Sequence, residues 1–234
     1  MWLFYAPDIK YDMELPQEEA GHCIRVLRMK EGDRIRLTDG KGAFYDAVIS
    51  AVAGKHCMVH IVSKEVQAPL WRGRLHIAVA PTKLMERNEW FVEKAVEIGV
   101  DEITFLKTDH SERDVVKMER IEKIAVSAMK QSQKATLPVL NGMTPFKNFV
   151  ESGFEGDRFI AHCESGDKTG LKDAVVPGRD TIVLIGPEGD FSPAEIEMAL
   201  KAGFKPVSLG PSRLRTETAA LVAVHIMNLA GQTD

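Results

Sequence analysis

Cysteine is scarce in this chain. Cys23, Cys57 and Cys163 are odd in number and form no CxxC pair, which argues against both a disulfide framework and a zinc site. Other metal-ligand clusters are missing too, and no metal is expected. No apolar run approaches the roughly 20 residues of a membrane span. Residues 1–10 lack the basic start and apolar stretch of a secretory leader, so the expectation is a cytoplasmic protein without a membrane partner. The ordinary nucleotide fingerprints are also absent. A dinucleotide site needs G-x-G-x-x-G after an early strand and an acidic residue about 20 positions on. Here the first strand of the later half runs into Pro81-Thr82-Lys83. Gly186-x-x-Gly189 lies near the end of the chain with the wrong spacing, and no Walker A loop exists.

What is present is ordinary in bulk and uneven in detail. With 44% hydrophobic and 27% charged residues, the 234-residue chain has enough apolar material for one large domain or two smaller ones. The net charge of −4 speaks against a nucleic-acid partner, yet residues 22–36 carry five basic side chains (Arg25, Arg28, Lys30, Arg34, Arg36) against two acidic. A local basic stripe can hold phosphate on an acidic protein. A solvated strand face has the same look.

Residues 1–70 read as β-rich, with runs at 34–37, 43–51 and 57–62 separated by glycine turns such as Asp39-Gly40-Lys41-Gly42, and a helix within 18–29. Short strands at this spacing suggest a small barrel or sandwich. From Leu75 the rhythm alternates. Strands are expected at 75–82, 102–107, 138–140, 158–163, 181–185 and 206–209. Helices are expected at 85–98, 114–133, after Thr144-Pro145, after Ser192 and at 218–230. Gly99 is placed to stop the first of these helices. This alternation implies a mostly parallel sheet covered on both faces. The domains are thus 1–70 and 71–234. The last helix is apolar nearly all round and is expected in the core or at a subunit interface.

The tail carries the most information. Gly186-Pro187-Glu188-Gly189-Asp190-Phe191 follows one apolar run and ends at Ser192-Pro193-Ala194-Glu195, a capping box with proline at the first helical position. Gly210-Pro211-Ser212-Arg213-Leu214-Arg215 follows the next run and ends at Thr216-Glu217-Thr218, another capable helix start. Two glycine-bearing loops at the ends of buried strands make a pocket rich in free backbone groups, at the edge where open α/β sheets bind ligands.

The segments IGPEGDFS and LGPSRLRTETA closely resemble the C-terminal motifs of the SPOUT-class methyltransferases that modify N3 of a uridine in small-subunit (16S) ribosomal RNA. HCIRVLRMKEGDRIRLTDGKGAFYDAVI, VEKAVEIGVDEI, SAMKQSQKATLP and FIAHCES extend the resemblance over nearly the whole chain. Three positions depart from the family pattern. Asp190 stands where a second glycine is usual, Lys134 where an arginine usually follows, and the early arginine is missing. The resemblance implies a SPOUT-type α/β trefoil-knot methyltransferase domain preceded by a small PUA-like β-barrel. It also implies a homodimer through the knot domain and a role in rRNA processing on the small ribosomal subunit. S-adenosyl-L-methionine is the implied cofactor, held by Ile185, Gly186, Pro187, Glu188, Gly189, Leu209, Gly210, Leu214, Thr216 and Thr218. The PUA-like part would bind RNA through Arg25, Arg28, Lys30 and Arg34. Near the active site Lys83, Arg87, Ser111, Arg113, Gln131 and Lys134 would join them.

Methylating N3 of uridine requires that the base be unpaired, that its N3 proton be lost, and that the methyl carbon be aligned. Arg215 is the first candidate, because a fixed guanidinium can stabilise the uracil anion or clamp phosphate. Glu217, Glu188, Glu164 and His162 are candidate bases. Each has a structural alternative: the two loop glutamates as helix caps, the histidine as a core residue. His162 beside Cys163 also resembles a base and nucleophile, but neighbours on a strand diverge, and a buried thiol is the expectation for Cys163. Two other readings remain at this point: a related enzyme acting on a ribose 2′-oxygen of tRNA, and a non-catalytic RNA-binding or assembly factor.

Overall fold

The computed structural model describes residues 2–9 and 13–232. Met1 and Lys10, which bound the segment read for a leader, and Thr233 and Asp234 at the end of the second domain lie outside the described residues, as do Tyr11 and Asp12. The chain divides into two compact units. One comprises Met1–Ala68 and Val126–Leu137, the other Pro69–Ala125 and Pro138–Asp234.

The first unit is built on a four-stranded sheet in the order β1 (Leu3–Tyr5), β2 (Arg34–Thr38), β3 (Ala43–Ala53), β4 (His56–Val66). β1 runs parallel to β2 and the other pairs are antiparallel. β1 and β4 end that order, and Glu14 adds an isolated antiparallel bridge to Met58 of β4, in the unit read from sequence as a small barrel or sandwich. Register shifts at Asp46/Ala47 and Ile49/Ala51 bend the long β3–β4 ribbon. The helix expected within 18–29 is the short α1 (Gln17–Gly21), continued by a π-helical turn over His22–Val26. Its core gathers Phe4, Ile9, Ile35, Leu37, Ile49 and Val59 around Cys23 and Cys57.

The second unit holds a seven-stranded, wholly parallel sheet. Its strands are β5 (Leu75–Val79), β6 (Glu102–Lys107), β7 (Val139–Pro145), β8 (Asp157–Ala161), β9 (Thr169–Gly170), β10 (Thr181–Ile185) and β11 (Lys205–Ser208). Their order across the sheet is β7-β6-β5-β10-β8-β11-β9. Every residue of β5 and β10 is buried, as expected of parallel strands covered on both faces. α2 (Met85–Ile98) packs on α7 (Thr216–Gly231), which lies against β5 and β10. On the other face α4 (Phe146–Glu151) and α6 (Pro193–Lys201) close over Ile160, Ile182 and Leu184, with Phe146, Phe191, Ile196 and Phe204 filling the layer. α3 (Met118–Gln131) begins in this unit and ends in the first, and α5 (Leu171–Ala174) is a single turn after β9. Gly99 ends α2 at φ 126°, and a Cβ there would lie 2.5 Å from Trp71 and 2.6 Å from Asn228.

No helix among the described residues is long and apolar enough to cross a membrane. No group of three or more His, Cys, Asp or Glu among them could hold a metal ion.

Candidate active site at the carboxyl edge of the sheet

Parallel pairing puts the carboxyl ends of β5, β6, β8, β10 and β11 on one edge. In register Ile185 of β10 faces Ala161 of β8, and Ala161 faces Val207 of β11. The two glycine-bearing loops therefore leave the sheet on either side of β8, and His162, the next residue of that strand's chain, comes between them.

The first loop is tied down on three sides. Glu188 Oε1 accepts from the backbone N–H of Lys83 after β5, at 3.0 Å. His110, after β6, places Nδ1 3.1 Å from the Gly189 carbonyl and 2.9 Å from that of Asp190. Two carbonyl acceptors require a proton on that nitrogen, and the bond to Asp190 is the main cause of an imidazole pKa above its ordinary value. Asp190 stands at φ 63°. Its Oδ2 accepts from Cys163 N at 2.7 Å, and its Oδ1 from Phe191 N at 2.8 Å. The glycine usual in the family would take this left-handed backbone freely; aspartate tolerates it because a short polar side chain bonds locally. Below the loop, Ser192 accepts from Glu195 N and Glu195 Oε2 accepts from Ser192 N, completing the expected capping box. Glu195 Oε1 also takes the backbone N–H of Asp109, and Ser192 Oγ donates to Asp109 Oδ2 at 2.6 Å.

The second loop turns at Gly210, whose φ of 125° favours glycine although a Cβ there would meet open space. Ser208 Oγ accepts from Gly210 N at 3.2 Å. Arg215 is exposed and caps α7 through its backbone, its carbonyl accepting from Ala219 N at 2.7 Å. Thr216 and Glu217 are buried, and Leu209, Leu214 and Thr218 are half-buried. Ile185, Gly186 and Pro187 are buried at the base of the first loop, whereas Glu188 and Gly189 are exposed.

Both ring nitrogens of His162 are buried and find no hydrogen-bond partner among the described residues. Burial, with the neighbouring Lys168 charge, pulls the imidazole pKa below its ordinary value and keeps the ring neutral near pH 7. Lys168 is held by the carbonyls of His162 at 2.7 Å and Glu164 at 2.5 Å. Glu164 is exposed. β8 ends at Ala161, so His162 and Cys163 lie beyond the strand, and Cys163 is exposed rather than the buried thiol expected.

The fold thus gathers Arg215, Glu217, His162, Glu164 and the cofactor candidates on one edge. Lys83 and Arg113 are there too, although Arg113 donates to the carbonyls of Thr82 and Lys83, and Lys83 pairs with Glu112 at 2.7 Å. Ser111 is taken up by Thr108, 2.8 Å between hydroxyls. Gln131 and Lys134 fall in the first unit, and Lys134 is buried, next to Gln133 at φ 54°. Arg25, Arg28, Lys30 and Arg34 are all exposed. Sequence reasoning missed Asp109 and His110, which act from another strand's loop and leave no local spacing to read.

The RNA methyltransferase domain model matches residues 69–228, and the RNA methyltransferase PUA domain model matches residues 15–62. The crystal structure of a probable rRNA-methyltransferase from Porphyromonas gingivalis is 51% identical, with a TM-score of 0.94, covering 99% of this chain and 98% of that one. A ribosomal RNA small subunit methyltransferase E from Neisseria gonorrhoeae, bound to S-adenosyl methionine, is 26% identical with a TM-score of 0.86, covering 98% and 97%. The ribosomal RNA small subunit methyltransferase E of Buchnera aphidicola is 29% identical over 219 residues, 90% of this chain and 85% of its own.

Proposed function

The chain belongs to the RNA methyltransferase family, and from that membership we propose that it uses S-adenosyl-L-methionine to methylate 16S ribosomal RNA at N3 of a uridine, on the small ribosomal subunit in the cytoplasm. The observation that carries the reading is His162, with two buried and unpartnered ring nitrogens between the two glycine-bearing loops. A buried polar pair of this kind is costly unless a ligand meets it. The backbone of Gly186 and Gly210 and the apolar sides of Ile185, Leu209 and Leu214 fit a flat purine with polar edges. Bound there, S-adenosyl-L-methionine supplies an electrophilic methyl group.

The chain's own residues have three tasks. Arg215, exposed beside the second loop, holds the negative charge that develops on the base or clamps a phosphate. An acidic side chain takes the N3 proton. Glu188 Oε1 already accepts the Lys83 N–H and Glu164 is exposed, whereas Glu217 is buried with Oε2 unmet among the described residues, and it is the acceptor this reading favours over these two and His162. The third task is docking. Arg25, Arg28, Lys30 and Arg34 give the first unit an exposed basic stripe suited to phosphate. Leu221, Val222, Ile226 and Leu229 form a face of α7 that the fold leaves partly or wholly uncovered, with Leu229 58% exposed, as a homodimer contact would require.

Small subunits lacking this modification, incubated with methyl-labelled donor, test the reading. Label should enter the RNA, and calorimetry should show donor binding that Gly210→Val abolishes. Donor binding without label in RNA would favour a non-catalytic RNA-binding role.

A further inference from the structure

Beside the second loop, the N-terminal turns of α2 and α7 leave a cleft of about 610 Å³. Arg87 and Trp90 line it from α2, Arg213, Leu214 and Arg215 from the loop, and Glu217 from the first turn of α7. Trp90 is 44% exposed and Leu214 half-buried, so the cleft has apolar surface on both sides. Its polar lining is three guanidinium groups, which only donate hydrogen bonds, the carboxylates of buried Glu217 and exposed Glu86, which only accept, and the Thr218 hydroxyl.

Glu217 is the unusual member. It is 8% exposed, its Oε1 lies 3.7 Å from Arg87 Nε, and its Oε2 is buried with no hydrogen-bond partner among the described residues. A buried carboxylate oxygen left unmet is destabilising and calls for a donor from outside the chain. The missing partner is an N–H group, offered by something flat enough to lie along an indole and polar enough at its rim to engage arginines.

Resting on the methyl-transfer reading, we propose that this cleft holds the target base and selects uracil. The Watson–Crick edge of uracil carries one donor, N3–H, between two carbonyl acceptors. The one buried carboxylate of the lining, Glu217, set among guanidinium donors, is its complement. Cytosine and adenine place an acceptor at the centre of that edge, against Glu217, and guanine turns one of its flanking groups into a donor facing an arginine. Trp90 is the stacking surface for the extruded base, an interaction open to any base but made selective by the edge. In the same pose the N3–H bond breaks toward Glu217. The proton passes to the carboxylate, the electron pair stays on N3, and the charge spreads to O2 and O4 beside Arg87 and Arg215. The carboxylic acid then returns its proton to solvent.

The test uses the full chain without methyl donor and reads tryptophan fluorescence against uridine, cytidine and N3-methyluridine 5′-monophosphates. The chain has three tryptophans, so Trp90→Phe assigns the signal. Uridine monophosphate should quench, and the other two should bind about tenfold more weakly. Trp90→Phe should lose the quench, and Glu217→Gln, whose amide both donates and accepts, should bring uridine and cytidine close to equal affinity. No quench, equal affinities in the wild type, or a quench unchanged in Trp90→Phe would overturn the assignment. Those failures with label still entering RNA would move the base elsewhere and leave the methyl-transfer reading standing. Discrimination without methyl transfer would do the reverse.

Discussion

Asp190 shows how a single departure from a family pattern is absorbed. Its left-handed backbone is the kind glycine takes freely, and its carboxylate repays the strain by holding Cys163 N and Phe191 N. Asp190→Ala keeps the strain and loses both bonds, so it should cost about 1–3 kcal/mol in urea unfolding. Asp190→Gly loses the bonds alone and should cost less. Equal losses would contradict this. His76 gives a pH signature far from the site. Buried against Thr104 Oγ1 at 2.8 Å, its pKa falls from 6.5 to about 3, mainly through desolvation, with the Arg74 charge adding. Between those values the unfolded chain binds a proton that the folded chain refuses. The stability tied to a neutral His76 is therefore complete above about pH 6.5 and is lost as pH falls, by at most about 1.4 kcal/mol per pH unit. His76→Gln should flatten this part of the stability profile. At this scale sequence reading named Arg215, Glu217 and His162 from their motifs. That both ring nitrogens of His162 and Oε2 of Glu217 find no partner among the described residues depends on packing and could not be read locally.

Elements with local signals were the legible ones. α2 and β6 match their expected bounds, since a 3.6-residue apolar pattern with a glycine stop and a compact β-branched run are both local. The start of α6 was equally plain in Ser192-Pro193-Ala194-Glu195. Ser192→Ala should lower stability by about 1 kcal/mol through the lost cap, seen as an earlier urea midpoint. A larger loss would follow if the Asp109 bond also matters, and no change would contradict the capping role. Elements defined by partners were not legible. β1 and β9 have three and two residues and exist through pairing with β2 and β11. β7 reaches from Val139 to Pro145, beyond the expected 138–140, because Asn141-Gly142 carries no strand propensity and is held by register with β6.

At the scale of the whole molecule, the insertion of β10 between β5 and β8 decides the site. It brings loops from the last third of the chain beside Lys83, His110 and Cys163, and no local pattern encodes that order. Alternation of strands and helices gave the parallel sheet; strand order came only with the structure. The uncovered face of α7 belongs to this scale as well. Leu229→Glu should convert a dimer to a monomer in sedimentation without unfolding it, because that side chain is already exposed. A monomeric wild type would contradict the dimer reading. The most direct measurement is nucleoside analysis by mass spectrometry of small-subunit RNA after reaction with S-adenosyl-L-methionine, for the wild type and Arg215→Ala. N3-methyluridine made by the wild type and absent with the variant is the expected result; methyl found on a ribose, on another base, or equally with Arg215→Ala would contradict it.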